Sequence, residues 1–303
     1  MKTLSKDYPN MNLCNVCPRS CNVDRVNTVG VCGVSNTIKL SKAMLHYWEE
    51  PCISGENGSG AIFFSGCNLK CCYCQNYKIS TGAFGKEVST QQLADIMLRL
   101  QEQGANNINL VTPTHYSYSI AEALDLCKHR LKVPVVYNCG GYERVDTLKY
   151  LKDYVDIFLT DFKYYSSQMS TEYSKCADYF EVTSKAVLQM HSQQPKLVYD
   201  DQGILQKGLI VRHLVLPTGR HDSINILRWL SESLPKDDFI LSLMWQYTPT
   251  EQCVQYPKIN RRTSTFEYSS VLDVAIDLKL NGYTQEKRSA RDEYTPEFDL
   301  SGL

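Results

Sequence analysis

The sequence predicts an α/β chain built as a partial (β/α)6 TIM-type barrel, with a short cysteine-rich metal-binding segment at its amino end. Three observations carry this. From Gly60 onward, short β-branched or apolar runs alternate with amphipathic stretches about six times, and repeated strand-then-helix units imply parallel strands joined by right-handed crossovers. The chemically unusual residues follow directly after strands, where such sheets hold their ligands. Nine of the thirteen cysteines fall between Cys14 and Cys74. About six units rather than eight favour an open or partial barrel over a closed one, with a doubly wound sheet as the alternative.

The elements read as follows. A first strand covers 60–65 (GAIFFS). A helix opens at Ser89, with Gln92 completing a capping box, buries Leu93, Ile96, Met97 and Leu100, and stops near Gly104. A strand at 107–111 leads to a helix started by Ser119 and Glu122 that buries Ile120, Ala123, Leu124 and Cys127. Further strands read at 133–137, 155–161, 209–216 and 239–245, with helices near 144–152, 171–193, 223–233 and 264–280. Three regions result: a cysteine-rich segment at 1–50, the barrel core at 51–285 and a loosely packed polar tail at 286–303.

Composition excludes several function classes. Of 303 residues, 43% are hydrophobic and 21% charged, as in ordinary soluble domains. A formal net charge of −1 gives no electrostatic footprint for nucleic acid or an anionic membrane. The start, MKTLSKDYPN, has no apolar stretch of a secretory signal, and runs such as 61–64 and 239–245 are too short to span a bilayer. The expected location is the cytoplasm. There an odd number of cysteines argues for reduced thiolates serving as metal ligands rather than a disulfide framework. The isolated Cys127, Cys139, Cys176 and Cys253 read as small buried hydrophobes.

Directly after the first strand comes Gly66-Cys67-Asn68-Leu69-Lys70-Cys71-Cys72-Tyr73-Cys74. Its C-x3-C-x2-C spacing puts Cys67, Cys71 and Cys74 in one tight loop around a single centre. Three thiolates suit a 4Fe-4S cluster with one iron left open. A structural zinc with Cys72 as fourth ligand is the rival, but adjacent Cys71 and Cys72 on one ion is geometrically awkward. The loop's place after the first strand, and Tyr73 before its last cysteine, favour the cluster.

GAIFFSGCNLKCCYCQN resembles the core of the radical S-adenosylmethionine superfamily, and within it the branch of pyruvate formate-lyase activating enzymes. The similarity extends to HYWEEPCISGENGSG (46–60), NINLVTPTHY (107–116), YNCGGY (137–142), DIFLTDFKY (156–164) and VRHLVLP (211–217). The resemblance implies a 4Fe-4S cluster, S-adenosyl-L-methionine as cofactor and its reductive cleavage to a 5′-deoxyadenosyl radical. It also implies a one-electron donor such as flavodoxin or ferredoxin and, in this branch, a glycyl radical enzyme as partner. Carried over by position, Tyr73 lies by the adenine. Asn138, Asp161, Lys163 and Arg212 contact the methionine and ribose parts, with Arg212 suited to the cofactor carboxylate. A local Asp161–Lys163 ion pair is the bland alternative.

One segment departs from the family. Where many relatives carry Gly-Gly-Glu, this chain has Thr112-Pro113-Thr114-His115. Thr112 or Thr114 would supply an oxygen acceptor, while His115 either reaches the site or bonds locally. His213, Gln246 and Tyr247 sit near the ends of the last strands and are candidate substrate contacts; Arg261 and Arg262 read as surface charges.

Ahead of the barrel, Cys14, Cys17, Cys21 and Cys32 form C-x2-C-x3-C-x10-C. So small a segment builds no core of its own, so a metal would supply its folding energy. Structural zinc and a second iron–sulfur cluster both match four thiolates, and Cys52 either replaces one of the four or is a plain buried thiol. Three functions follow: activation of a glycyl radical enzyme, radical modification of a small molecule or peptide, or a non-catalytic zinc-binding interaction protein.

Overall fold

The computed structural model describes residues 13–285 and 296–303. The first half runs β1 (Ile38–His46), α1 (Pro51–Ser54), β2 (Ser59–Phe64), α2 (Tyr77–Ser80), β3 (Lys86–Val88), α3 (Thr90–Glu102), β4 (Ile108–Val111) and α4 (Ser117–Cys127). The second runs β5 (Val135–Cys139), α5 (Val145–Tyr150), β6 (Ile157–Asp161), α6 (Ser167–Ser174), α7 (Tyr179–Gln193), β7 (Val198–Tyr199) and β8 (Leu205–Leu214). It closes with α8 (Arg220–Ser233), β9 (Ile240–Met244), α9 (Thr265–Asp277) and β10 (Gly282–Thr284).

Strands β2, β4, β5, β6, β8 and β9 lie parallel and side by side in chain order, and β10 extends the row beside β9. A doubly wound sheet reverses its strand order partway; this one never does, so it is the partial barrel. On the other edge β1 runs antiparallel to β2, and β3 antiparallel to β1.

Strands β2, β4, β5, β6, β8 and β9 are largely buried on both faces, and the period of two sorts their side chains. Phe158, Leu209 and Val211 join the helix-side core, whereas Val136, Ile157, Leu159, Ile210 and Ile240 form an inner cluster. That inner cluster includes Cys52 and Ile53 of α1, which plug the barrel at the amino ends of the strands. Two residues further along the same inward rows, the chemistry changes. Val136 is followed by Asn138, Leu159 by Asp161, Ile210 by Arg212 and Ile240 by Ser242. Register sets Asp161 beside Arg212, and Arg212 beside Ser242. The barrel is therefore apolar at its base and polar at its carboxyl mouth.

Several expectations need correction. The helix expected from Ser119 begins at Ser117, out of a 3-10 turn at Thr114–Tyr116, and Ser117 Oγ donates back to the Thr114 carbonyl at 2.9 Å. The stretch expected as one helix over 171–193 is two, α6 and α7, because Lys175 turns left-handed at φ 53°. Arg19 takes up the freed helix-end carbonyls of Ser174 (3.2 Å) and Lys175 (2.6 Å). Residues 38–46, expected with the cysteine-rich segment, are a strand of the main sheet.

Of the expected tail, residues 286–295 lie outside the described residues. Its end is not loosely packed. Phe298 is buried edge-on against Phe63 at 5.4 Å, Ala43 donates to the Ser301 carbonyl, and Lys42 pairs with Asp299 at 3.0 Å.

Candidate active site

The polar mouth of the barrel opens on a cavity of ≈ 470 Å³. Cys67, Cys71, Tyr73 and Cys74 border it, together with Thr112, Asn138, Asp161, Lys163 and Arg212. Residues from the loop after β2 and from the ends of β4, β5, β6 and β8 thus meet at one place. Gln246 and Tyr247 also border it; His213 does not. The His213 ring is turned into the helix layer, with Nδ1 2.6 Å from the Phe162 carbonyl and Nε2 2.8 Å from Ser223 Oγ. His115 lies off the cavity too: Nε2 bonds the Ser65 carbonyl at 2.8 Å, and burial drives its pKa down to about 3. Arg261 is half exposed and pairs with Glu267, and Arg262 is exposed.

The cysteine loop is held from several sides. Gly66 starts it at φ 89°, where a Cβ would come within 2.9 Å of the Cys32 carbonyl, so only glycine enters this turn without strain. Cys67 N–H donates to that same carbonyl at 3.2 Å. Arg19 Nε donates to the Asn68 carbonyl at 2.8 Å, and Asn68 Nδ2 to the Tyr142 carbonyl at 2.8 Å.

Cys67, Cys71 and Cys74 lie within one another's electrostatic field: burial, then Cys71 and Cys67, push the Cys74 thiol up to about 12. The sulfurs already attract donors, Leu69 N–H on Cys67 Sγ at 3.4 Å and Ser174 Oγ–H on Cys71 Sγ at 2.9 Å. Cys72 is absent from the cavity wall and half-buried beside a different neighbour, Cys253, whose thiol lies 3.8 Å from the Cys72 carbonyl. A fourth thiolate from Cys72 therefore does not join the other three. Three cysteines that border one open cavity, with Cys72 absent from its wall, suit a group that takes three protein ligands and leaves room for one more.

Thr112 is the strained residue of the wall. Its φ is 60°, an uncommon conformation for a β-branched side chain, and its N–H donates to the Asn138 carbonyl at 2.8 Å. Thr114 faces elsewhere, donating at 2.6 Å to Glu143, a buried carboxyl that also accepts from Tyr137 at 3.0 Å. Burial pushes Glu143 up to about 7, although those donors oppose it.

Asp161 and Lys163 do form an ion pair, at 2.5 Å, and do so in the cavity wall. Burial is the strongest single influence and works against the charge on Lys163, but Asp161, Cys71 and Tyr179 together outweigh it and keep the ammonium protonated.

Arg212 holds a surprise for the sequence reading, which gave it to a cofactor carboxylate. Nε and Nη2 each bind Glu50 at 2.6 Å, and Nη2 also binds Glu49; neither glutamate takes Nη1. Burial opposes the Glu49 charge, yet Arg212, His46 and Asn109 together hold its carboxyl below the ordinary range. These glutamates were missed by the sequence reading. Their signal was present as consecutive acids in HYWEEP, between an apolar run and a proline.

The amino-terminal cysteines lie away from the cavity wall. Cys17 feels Cys14 and Cys32, while Cys21 Sγ accepts from Val31 N–H at 3.4 Å. Among the described residues no three His, Cys, Asp or Glu side chains converge as ligands of a single ion. All thirteen cysteines are free thiols.

A three-cysteine loop after the first parallel strand, at the mouth of a partial barrel, defines one class of enzyme. Residues 61–186 match the model of the radical SAM superfamily. The chain is 30% identical over 272 residues to the uncharacterized protein MJ0674 of Methanocaldococcus jannaschii, an alignment covering 86% of this chain and 74% of that protein. The chain belongs to the radical SAM superfamily.

Among solved structures, it is similar in fold to Streptococcus suis SuiB bound to S-adenosylmethionine, with a TM-score of 0.53 at 15% identity over 78% of this chain and 51% of that one. It is also similar to SuiB bound to the precursor peptide SuiA, with a TM-score of 0.51 at 15% identity over 73% and 46%. The chain thus spans about half the length of these solved relatives. No helix among the described residues is long and apolar enough to cross a membrane.

Proposed function

We propose that Cys67, Cys71 and Cys74 hold a 4Fe-4S cluster and that the cavity beside them binds S-adenosylmethionine for reductive cleavage. The observation that carries this is the meeting of the three sulfurs with Tyr73, Thr112, Asn138, Asp161, Lys163 and Arg212 at one cavity, Cys72 being excluded. When bound, the cluster and cofactor supply one electron and a 5′-deoxyadenosyl radical that takes a hydrogen atom from substrate.

The chain's residues supply position. Tyr73, edge-on to Tyr247 at 5.8 Å, offers an aromatic wall for the adenine. Asn138 and the Asp161–Lys163 pair present the donors and acceptors that ribose hydroxyls and an amino acid group require. Thr112, strained at the site of the family's acidic segment, lines the cavity. Arg212 has only Nη1 left for a carboxylate, so it serves chiefly to hold Glu49 and Glu50 in the wall.

The substrate is proposed in two forms. Activation of a glycyl radical enzyme follows from resemblance to the pyruvate formate-lyase activating branch. Modification of a peptide or small molecule is favoured by the replaced Gly-Gly-Glu segment and by two further buried carboxylates in the wall, Glu49 and Glu50. In either form the chain works in the cytoplasm with a one-electron donor of the flavodoxin or ferredoxin kind. The amino-terminal cysteines are proposed to serve as a structural segment, with zinc, a second cluster or no metal.

The test is anaerobic reconstitution of the full chain, metal analysis and an assay of 5′-deoxyadenosine after S-adenosylmethionine and reductant are added. About four irons per chain with 5′-deoxyadenosine release support a single cluster, and about eight support a second. Zinc alone with no 5′-deoxyadenosine refutes the proposal.

A further inference from the structure

Three buried hydroxyls form a chain that ends on one sulfur of the cysteine loop. Ser174 Oγ donates to Cys71 Sγ at 2.9 Å; the Tyr164 hydroxyl lies 2.6 Å from Ser174 Oγ, and the Tyr73 hydroxyl 2.6 Å from that of Tyr164. Each hydroxyl has a single hydrogen, and this sets the direction. Ser174 directs its proton to sulfur, so Tyr164 donates to Ser174, and Tyr73 donates to Tyr164. All three O–H dipoles therefore point towards Cys71.

The arrangement is built into the scaffold. Tyr164 and Ser174 are fully buried, and only Tyr73 reaches the cavity. Ser174 is the last residue of α6, and its carbonyl is bound by Arg19, which also holds Asn68 in the cysteine loop. A metal-bound thiolate is an acceptor without a proton of its own, which is what the oriented chain suits. Hydrogen bonds to ligand sulfurs are among the features that set the potential of an iron–sulfur centre. Donation to sulfur stabilises the reduced, more negative state, and chained hydrogen bonds polarise one another and strengthen the last link.

We propose that Ser174, backed by Tyr164 and Tyr73, is a positioning residue that raises the reduction potential of the cluster ligated by Cys71. This rests on the cluster assignment under the proposed function. It adds that the ring lining the cofactor side of the cavity is wired through hydroxyls to a ligand sulfur.

The experiment is a potentiometric titration, followed by electron paramagnetic resonance, of the anaerobically reconstituted full chain and its Ser174→Ala, Ser174→Thr and Tyr164→Phe variants. Ser174→Ala is expected to retain iron and become harder to reduce. Its ratio of reduced to oxidised cluster at a fixed potential should fall about tenfold, or 59 mV for a one-electron couple. Tyr164→Phe leaves the Ser174 donor in place but unpolarised, and shifts the potential in the same direction by less. Ser174→Thr, which keeps the hydroxyl, stays at the wild-type value. Should Ser174→Ala lose its iron, the Tyr164→Phe shift decides. Wild-type potentials in both Ser174→Ala and Tyr164→Phe overturn the proposal. A wild-type chain that gives no reducible iron signal overturns the cluster assignment itself, a distinct result.

Discussion

Replacing Arg212 with methionine would remove the cation from between two buried carboxylates. The Glu49 and Glu50 side chains are 8% and 5% exposed and that of Arg212 is 16% exposed. The variant loses both bonds to Glu50 and one to Glu49, leaving Glu49 with Asn109 at 2.8 Å. Breaking a buried pair from one side costs about 3–5 kcal/mol, because the orphaned charge stays behind. Two adjacent carboxylates are orphaned here, which pushes towards the top of that range. Proton uptake limits it: protonating one glutamate of ordinary pKa at pH 7 costs roughly 4 kcal/mol. The expected loss of stability is therefore about 4 kcal/mol at pH 7.

The pH dependence separates this account from simple loss of packing. In the native wild-type chain the Glu49 pKa is depressed, so its stabilisation is present above the unfolded value and is lost as pH falls through the folded one. In Arg212→Met the burial of Glu49 is no longer offset by Arg212, so its carboxyl titrates above the unfolded value and the variant gains relative stability on acidification. Each proton taken up narrows the gap by about 1.4 kcal/mol per pH unit between pH 7 and the ordinary glutamate range. Urea unfolding of the metal-free chain at pH 7 and pH 5 measures both quantities. Adding Glu49→Gln and Glu50→Gln to Arg212→Met removes the orphaned charges and should recover most of the loss. The reasoning is refuted if Arg212→Met lowers stability by less than about 1 kcal/mol, independent of pH. A variant of unchanged stability but weakened S-adenosylmethionine binding would return Arg212 to the cofactor carboxylate.

Other outcomes are equally specific. Glu143 keeps its proton to about pH 7 because of burial, so the folded chain binds more protons than the unfolded one between the ordinary glutamate value and that pH. Stability should fall by roughly 3 kcal/mol as pH rises through this window; Glu143→Gln should flatten the slope in urea melts. Phe298→Ala vacates a buried site against Phe63 and should lower stability by about 3–5 kcal/mol, read by thermal or urea unfolding. Alanine at Cys67, Cys71 and Cys74 together should abolish the visible and resonance spectra of the core cluster, and retention of that spectrum would remove the ligand assignment.

What was legible in the sequence follows from how local its causes are. The parallel strands could be found because burial on both faces writes them as apolar runs, and α3 because a capping box at Ser89 marks its start. The cysteine loop was readable because Cys67, Cys71 and Cys74 lie within eight residues of one another. Strand β1 was not: its Lys39 and Lys42 look like loop residues until Gly82, Glu297 and Asp299, far off in the chain, supply their partners. The break between α6 and α7 is likewise enforced from elsewhere, by Arg19 binding the carbonyls left open at Ser174 and Lys175.

The active-site residues divide along the same line. Asn138, Asp161 and Arg212 are legible as cavity-lining residues because a polar residue interrupts an inward apolar row at a strand's end. Arg212 reads from sequence as suited to a cofactor carboxylate, but carboxylates of this chain, 162 and 163 residues away, already take its Nε and Nη2. A charged residue at a barrel mouth thus announces its place from sequence but not its partner. In this chain the partner decides whether the charge is offered to a ligand or already neutralised, which is why Lys163 and Arg212, alike at first reading, end with different roles. Lys163 forms one ion pair with Asp161 at the cavity wall, whereas Arg212 is clamped by two glutamates and acts on the cavity through them.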